Sequence, residues 1–314
     1  MIKTISFVIP CYCSESTLSN VIKEIEDKME SMKENGKEYY YEIVLIDDCS
    51  PDNTLNVISE LCKKQYIKAL RLSKNFGQHA ALMAGIRNTK GDFVVCLDDD
   101  GQTPANEVDK LLEKLEEGYD AVYAKYENKH HSNFRNLGSK VNDYMLRSML
   151  GKPSQLYISS YFAVKRFVVD NMITYNNSYP YVIGLVLRAT RNITNVVVQH
   201  RSRTAGASGY NLKKLLKLWL NGFTAFSVKP LRLAILLGGI SALLSFMYEI
   251  YVIINKLLNP NVPLGFSSIM CAIGLFSGLI MIMLGLIGEY IGRIYISINN
   301  SPQYVISERI NIDL

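Results

Sequence analysis

The sequence predicts an α/β protein with a mostly parallel sheet, followed by an amphipathic helix and two membrane-spanning helices. Three observations support this: apolar runs alternate with helical periods over the first two hundred residues, a basic amphipathic stretch follows, and charged residues almost vanish from 231 to 287. The predicted division of the chain is 1–210 for the α/β domain, 211–229 for the juxtamembrane helix, 230–290 for the two spans and 291–314 for a cytoplasmic C-terminal tail.

Strands and helices alternate along the first 120 residues. Residues 5–10 form a short apolar run that ends in a proline, and residues 17–32 carry apolar side chains at helical spacing. Further strands are predicted at 42–46, 67–72 and 93–97, and further helices at 54–61, 78–87 and 106–117. This alternation predicts parallel strands covered by helices. Ligands of such sheets bind beyond the carboxyl ends of the strands, so the residues that follow the strands are the first candidates for a site.

Composition and motifs exclude several classes of protein. The chain has 314 residues, of which 48% are hydrophobic and 20% charged, with a net charge of +5, and this is not the composition of a disordered protein. No GxGxxG follows a strand and no GxxxxGK[ST] occurs, so neither a dinucleotide fold nor a P-loop is predicted.

Three adjacent acids, Asp98, Asp99 and Asp100, directly follow the fourth predicted strand. In an extended backbone Asp98, Asp100 and Gln102 would point the same way. Carboxylate and amide oxygens are ligands that Mg²⁺ or Mn²⁺ takes, with a substrate phosphate completing the shell. The segment therefore predicts a divalent cation that holds a pyrophosphate. The alternative is a helix N-terminus capped by Asp100 or Thr103.

A second acid pair, Asp47 and Asp48, ends the second predicted strand. An aspartate at this position can accept the imide N–H of a uracil or the N–H groups of a guanine. The alternative is purely structural, because Ser50, Asp52 and Asn53 are good turn and capping residues for the following helix.

The stretch that begins at Asn211 has one apolar and one basic side. If it is helical, one face carries Leu212, Leu215, Leu216, Trp219 and Phe223, with Lys213, Lys214 and Lys217 beside it. This pattern predicts a helix lying in the membrane interface. The alternative is a surface helix of a soluble domain.

Two long apolar segments follow, at 233–254 and 266–287. Each exceeds the roughly 20 residues that a bilayer requires of a helix. Basic residues precede the first segment and follow the second, which predicts that both termini face the cytoplasm. The N-terminal MIKTISFVIP is too short and too quickly interrupted to be a signal peptide. The expectation is a multi-pass membrane protein with a cytoplasmic α/β domain.

Five segments, taken together, carry a resemblance to a known family: VIPCYCSESTL, VLIDDCSPDNT, RLSKNFGQHAALMAGI, GDFVVCLDDDGQTP and GLIGEYIGRIYISI. The chain resembles, over nearly its whole length, the family 2 glycosyltransferases that act on polyprenyl phosphates. The resemblance implies a GT-A nucleotide-sugar-binding fold that uses Mg²⁺ or Mn²⁺. It further implies an inverting enzyme that moves a sugar from a nucleoside-diphosphate sugar, expected to be UDP-linked, to undecaprenyl phosphate or a similar lipid. A homo-oligomer, such as a tetramer, is expected, and no nucleic-acid partner.

The resemblance also implies roles for individual residues. The catalytic group would comprise Asp98, Asp100, Arg135 and Ser139, the last two holding the acceptor phosphate. The metal would be held by Asp98, Asp100 and Gln102. The nucleotide sugar would be bound by Pro10, Tyr12, Glu15, Asp48, Asp99, Lys125, Arg201, Arg203, Ser208 and Tyr210.

The chain departs from the family pattern at Tyr157, where an acid is common. If that acid is a required general base, this chain lacks it. A phosphate monoester is already anionic at pH 7, however, so positioning by Arg135 and charge neutralisation by the metal could suffice.

Two rival functions follow from the same residues. A processive polysaccharide synthase would carry a QxxRW motif, but Gln199 is followed by His-Arg-Ser and the single tryptophan lies in LKLWL. The second rival is a non-catalytic membrane scaffold that kept the fold. It is suggested by Tyr157, which stands where the family commonly has an acid.

Overall fold

The structure is a computed structural model, and it describes residues 2–126, 147, 151–199, 229–258, 265–298 and 302–312. The chain forms two compact units. The first comprises Met1–Leu215 together with Asn300–Leu314, and the second comprises Leu216–Asn299.

The described residues contain eight strands and eight α-helices. The strands are β1 Thr4–Cys11, β2 Tyr40–Asp47, β3 Ile67–Leu72, β4 Phe93–Cys96, β5 Ala121–Tyr126, β6 Phe162–Lys165, β7 Ile193–Val198 and β8 Ile306–Ile310. The helices are α1 Leu18–Glu34, α2 Thr54–Leu61, α3 Gln78–Arg87, α4 Val108–Glu116, α5 Arg166–Ile173, α6 Val182–Ala189, α7 Lys229–Leu258 and α8 Phe266–Ile298, and a short 3₁₀ turn, Ala105–Glu107, precedes α4.

The eight strands form one sheet in the order β7-β5-β6-β4-β1-β2-β3-β8. The pairs β1–β2, β1–β4, β2–β3 and β5–β7 are parallel, which confirms the predicted mostly parallel α/β sheet. Strand β6 runs antiparallel to both β4 and β5, with Phe162 opposite Cys96. The carboxyl ends of β1, β2, β4 and β5 and the start of β6 therefore lie at one edge of the sheet.

The central strand β1 is buried on both faces. Ile5, Phe7 and Ile9 belong to the hydrophobic cluster that includes α1 and α4. On the other face α3 approaches so closely that a Cβ atom built on Gly85 would lie 2.5 Å from Val8 Cγ1 and 2.5 Å from Ile46 Cδ1. Only glycine fits at this point of the helix, and the close approach seats the start of α3 near the strand ends.

Strand β8 joins the sheet at the edge of β3, where the sequence predicted only a tail. The side chain of Asn311 donates to the backbone carbonyls of Cys62 at 2.6 Å and Ile67 at 2.8 Å. The buried Gln303 donates to the carbonyl of Tyr175 at 2.7 Å. Residues 307–309 of β8 are polar and exposed, so no apolar alternation indicated a strand. A short, charged edge strand also resists pairing with other chains.

The second unit contains α7 and α8. A Cβ atom built on Gly238 would lie 2.7 Å from Met283 Cε, so the two helices pack against each other there. Within the described part of the chain, α8 alone contains a window, Leu275–Gly292, that is long and apolar enough to cross a membrane, and none of it is buried. Helix α7 has a shorter apolar stretch, Ile235–Tyr248. The crossing of a bilayer by both helices stays a prediction.

Candidate active site

A ring of hydrogen bonds joins the residues that follow β4, β1 and β2 to the start of α3. Its members come from segments far apart in sequence, and parallel strand pairing brings them to the same edge of the sheet. The acids Asp98 and Asp99, predicted as site residues, are part of this ring.

Asp98 is held through both of its carboxylate oxygens. Gln78 Nε2, at the start of α3, donates to Oδ1 at 2.8 Å, and the hydroxyl of Ser160 donates to Oδ2. Burial raises the pKa of Asp98 to about 6; the nearby carboxylates of Asp100 and Asp99 act in the same direction, while the Ser160 and Gln78 hydrogen bonds oppose it. Neither Gln78 nor Ser160 was a predicted site residue. The only local signal for Ser160 was a pair of serines just before β6.

Asp99 faces the end of β1. Its Oδ2 accepts the backbone N–H of Tyr12 at 3.1 Å and the hydroxyl of Ser14. Burial raises its pKa, and these two hydrogen bonds partly offset the effect. Asp99 therefore fixes the loop after β1, and Tyr12, half of whose surface is exposed, extends from that loop.

The segment from Asp98 to Gln102 is bent, so the extended backbone assumed for it is wrong. Gly101 adopts a φ of +72°, and the backbone N–H of Gln102 donates to Asp100 Oδ1 at 3.0 Å. The bend arises because glycine populates the left-handed region without steric cost. Alternation therefore does not establish that Asp98, Asp100 and Gln102 share one direction, and their joint role as ligands stays a prediction.

Asp48 ties the end of β2 to the start of α3. Its two carboxylate oxygens accept the backbone N–H groups of Phe76 at 2.7 Å and Gly77 at 2.8 Å. Burial raises its pKa, whereas these two hydrogen bonds lower it. The side chain is almost fully buried. Asp48 therefore has a structural task that the sequence did not indicate, and its contact with a base stays a prediction.

Glu15 links the loops that follow β1 and β2. Its carboxylate accepts the N–H of Asn53 at 3.0 Å, and its own N–H donates to Asp52 at 3.4 Å. Asp52 also accepts the hydroxyl of Thr54 at 2.7 Å. The turn interpretation of this segment therefore fits Asp52. Asn53 occupies the N-cap position of α2 but makes no side-chain capping bond.

The remaining described candidates lie around this ring. Pro10 is buried within β1, and Lys125 is exposed near the end of β5. Tyr126, at the end of β5, hydrogen-bonds Thr103; burial raises its pKa, and the charge of Asp98 adds to the effect. The backbone of Tyr157 is held on both sides by Asn195 of β7, which accepts its N–H at 2.7 Å and donates to its carbonyl at 2.6 Å.

Several predicted residues lie outside the described part of the chain. They are Arg135, Ser139, Arg201, Arg203, Ser208 and Tyr210, together with 211–228 of the predicted juxtamembrane helix.

The carboxylates at the end of β4 fit a divalent cation. Within the described residues no salt bridge joins Asp98 or Asp99 to a lysine or arginine, although burial and, to a smaller extent, repulsion from neighbouring carboxylates raise both pKa values. A hard cation with oxygen ligands would relieve this repulsion. No group of three or more His, Cys, Asp or Glu side chains is arranged as a metal site among the described residues, so a substrate oxygen would have to contribute to the shell.

Comparison with known proteins identifies the class. Residues 6–173 match the profile of glycosyl transferase family 2, and residues 229–294 match a profile described as the GtrB C-terminal hairpin. The first match covers more than half of the chain, so the chain belongs to glycosyl transferase family 2 and is a glycosyltransferase.

Solved structures similar to this chain include other glycosyltransferases. Glucosyl-3-phosphoglycerate synthase from Mycobacterium tuberculosis, in complex with phosphoglyceric acid, is 19% identical with a TM-score of 0.47, over 68% of this chain and 75% of that chain. Its complex with Mn²⁺, UDP-glucose and phosphoglyceric acid is 18% identical with a TM-score of 0.46, over 68% and 74%. TarS 1–349 from S. aureus in complex with UDP-GlcNAc is 15% identical with a TM-score of 0.45, over 72% and 67%.

Proposed function

We propose that this glycosyltransferase moves a sugar from a nucleoside-diphosphate sugar, UDP-linked, to undecaprenyl phosphate or a similar polyprenyl phosphate, at the cytoplasmic face of the inner membrane. The main support for a nucleoside-diphosphate sugar as the donor is the cluster of Asp98, Asp99 and Asp100 at the carboxyl end of β4, within a family 2 domain. Sheets of this type bind ligands beyond these strand ends.

The proposal of a polyprenyl phosphate as the acceptor rests on the C-terminal part of the chain. Residues 229–294 match the hairpin profile of GtrB, which is a polyprenyl-phosphate glycosyltransferase. An enzyme with a membrane-bound acceptor gains from being anchored beside it, because anchoring raises the effective concentration of that acceptor.

The exposed surface of α7 and α8 supports a lipid environment. Large apolar side chains are more than half exposed along both helices, among them Leu243, Phe246, Leu275 and Ile282. Soluble monomers rarely expose apolar patches of this extent. At 1.5 Å per residue, α7 is about 45 Å long and α8 about 50 Å, and each exceeds a hydrocarbon core of about 30 Å.

The position of β8 supports two crossings of the membrane. Strand β1 precedes α7 and α8 in the chain and β8 follows them, yet both strands belong to one sheet. A chain whose ends share a sheet must cross a bilayer an even number of times. If α8 crosses, a second segment must cross with it, and α7 is the candidate for that segment among the described residues. The sheet then lies on the side where both termini are.

In the proposed reaction an oxygen of the lipid phosphate attacks the anomeric carbon of the donor sugar. The bond from that carbon to the diphosphate breaks, the nucleoside diphosphate leaves from the opposite face, and the configuration inverts. Arg135 and Ser139 would hold the acceptor phosphate, and Arg201, Arg203, Ser208 and Tyr210 would hold the donor diphosphate.

A divalent cation, Mg²⁺ or Mn²⁺, held by Asp98, Asp100 and Gln102, would neutralise charge that develops on the leaving diphosphate. Lys125 and Tyr12 lie at the same edge of the sheet, and we assign them to donor binding together with Pro10, Glu15, Asp48 and Asp99. The lipid phosphate is already ionised at neutral pH, so Tyr157 would not have to act as a base.

The test uses the full chain in detergent or nanodiscs, with undecaprenyl phosphate, Mn²⁺ and a panel of UDP-sugars, and measures released UDP. Release should require lipid and metal. Asp100→Asn and Arg135→Ala should each reduce kcat/KM by about 10²-fold or more, since each removes charge stabilisation in the transition state. Asp27→Asn, an exposed acid of α1, is the matched control and should retain full activity.

Three outcomes would contradict the proposal. UDP release that does not depend on lipid would indicate a different acceptor. A polymeric product would favour a processive synthase. Metal-dependent UDP binding without any sugar transfer would favour the non-catalytic scaffold. Tyr157→Asp would then be the first variant to assay for sugar transfer.

A further inference from the structure

Two neutral side chains, Gln78 and Ser160, donate hydrogen bonds to different oxygens of Asp98, and neither was a predicted site residue. We propose that Gln78 and Ser160 are positioning residues, which fix the carboxylate of Asp98 in the orientation that binds the divalent cation accompanying the nucleotide diphosphate. This inference rests on the proposed function, because it concerns the same donor site.

The geometry restrains the carboxylate at both oxygens. Gln78 Nε2 lies 2.8 Å from Oδ1, and the hydroxyl of Ser160 donates to Oδ2. The two donors come from different elements, the first turn of α3 and the segment before β6. With one donor on each oxygen, the carboxylate cannot rotate without breaking a hydrogen bond. Each oxygen still has a second lone pair for a cation, because a carboxylate offers about four acceptor directions.

The chemistry of the two donors suits this task. A lysine or arginine in either place would also orient Asp98, but it would cancel the charge that attracts a cation. An amide and a hydroxyl orient the carboxylate and leave its charge intact. Groups that orient a metal ligand in this way typically change metal affinity by about 10–100-fold when they are removed.

The surrounding fold sets the positions of both donors. Asp48 binds the N–H groups of Phe76 and Gly77, directly before Gln78, and so holds the start of α3 against the end of β2. Strand β6 begins opposite the end of β4, which brings Ser160 to the same edge as Asp98. Gln78 is itself exposed, so a role limited to stability would make its removal nearly neutral.

The experiment measures Mn²⁺ binding rather than turnover. Full-length protein is titrated with Mn²⁺ in the presence of UDP, and free Mn²⁺ is followed by electron paramagnetic resonance. Gln78→Ala and Ser160→Ala should each weaken Mn²⁺ binding by about 10-fold. Ser160→Thr keeps the hydroxyl and should bind nearly as the wild type does. Ser159→Ala is the matched control, because the hydroxyl of Ser159 donates to the carbonyl of Tyr161 and not to Asp98.

The outcomes separate this inference from the proposed function. Weaker Mn²⁺ binding in the two alanine variants, with wild-type melting temperatures, supports the inference. Wild-type affinity in both alanine variants, or equal weakening in Ser159→Ala, overturns it and leaves the proposed function intact. Failure of the wild type itself to bind Mn²⁺ with UDP overturns the metal in the proposed function, and this inference with it.

Discussion

Glu42 lies at the centre of a buried polar network, and its substitution by glutamine should destabilise the sheet. Its Oε1 accepts the hydroxyl of Ser6 at 2.6 Å and the backbone N–H of Lys90 at 2.8 Å, and its Oε2 accepts the ammonium of Lys68 at 2.6 Å. The network extends to Gly91, whose N–H donates to the hydroxyl of Ser6 at 2.8 Å. Glu42 is only 7% exposed, so water cannot replace these donors.

The expected loss follows from counting donors. Three donors converge on Glu42, but an amide has one acceptor oxygen and one NH₂ group, so at least one donor must face another donor. A hydrogen bond to a charged group is worth about 1.5–3 kcal/mol, and the partial exposure of Lys68 lets water recover some of it. We expect Glu42→Gln to cost about 1–3 kcal/mol. At about 2–4 °C per kcal/mol for a domain of this size, the melting temperature should fall by about 2–12 °C.

The assay is thermal unfolding of the purified chain, followed by tyrosine and tryptophan fluorescence. Glu38→Gln, which changes an exposed acid four residues away, is the matched control and should melt within about 1 °C of the wild type. Glu42 lies near the amino ends of the strands, away from the acids at the other edge, so UDP release per folded molecule should not change.

The pH dependence gives an independent check. Burial by itself would raise the pKa of Glu42, but hydrogen bonds from Lys68, Ser6 and the Lys90 N–H outweigh it and hold the pKa below its ordinary value. A lowered carboxyl pKa stabilises the fold above the unfolded value of about 4.3, and this stabilisation is lost as the pH falls through the folded pKa. The gap between wild type and Glu42→Gln should thus be constant from about pH 5 to 8 and shrink in acid. A variant that melts like Glu38→Gln, or a gap unchanged in acid, would refute the argument.

Three further predictions concern the site and the sheet. Burial and, less strongly, the charges of Asp100 and Asp99 raise the pKa of Asp98 to about 6. The affinity for Mn²⁺ in the presence of UDP should therefore fall as the pH falls through 6 and Asp98 becomes protonated. Equal affinities at about pH 5.5 and 7.5 would contradict this. Gly85→Ala should lower the melting temperature by the equivalent of about 1–3 kcal/mol, because its Cβ would meet Val8 and Ile46 at 2.5 Å; a stabilised variant would contradict this. A chain that ends at residue 304 lacks β8 and should expose the edge of β3, so it should melt at a lower temperature and be cut faster by protease. An unchanged melting temperature would show that β8 contributes nothing to stability.

The first half of the sheet could be predicted because its signals are local. Short apolar runs and helical spacing predicted β1 to β4 and α1 to α3 within a few residues of their observed bounds, and the predicted fourth helix is observed as a 3₁₀ turn followed by α4. Strand β8 has no apolar run, because residues 307–309 are polar and exposed, and the short apolar run of β6 does not indicate which strand it pairs with or in which direction. The antiparallel pairs therefore became visible only in the assembled sheet.

The sequence by itself determined the class of the protein and the location of its acids. Strand-forming residues before Asp48 and before Asp98 placed both acids at strand ends, and parallel pairing then required those ends to share an edge. It did not determine what the acids contact. Asp48 bonds the backbone at the start of α3, and Asp99 bonds Tyr12, which is 87 residues away. Ser160 reaches Asp98 across 62 residues because β6 runs antiparallel to β4. Such contacts depend on the order and direction of strands, which arise from packing of the whole domain and leave no trace in local periodicity.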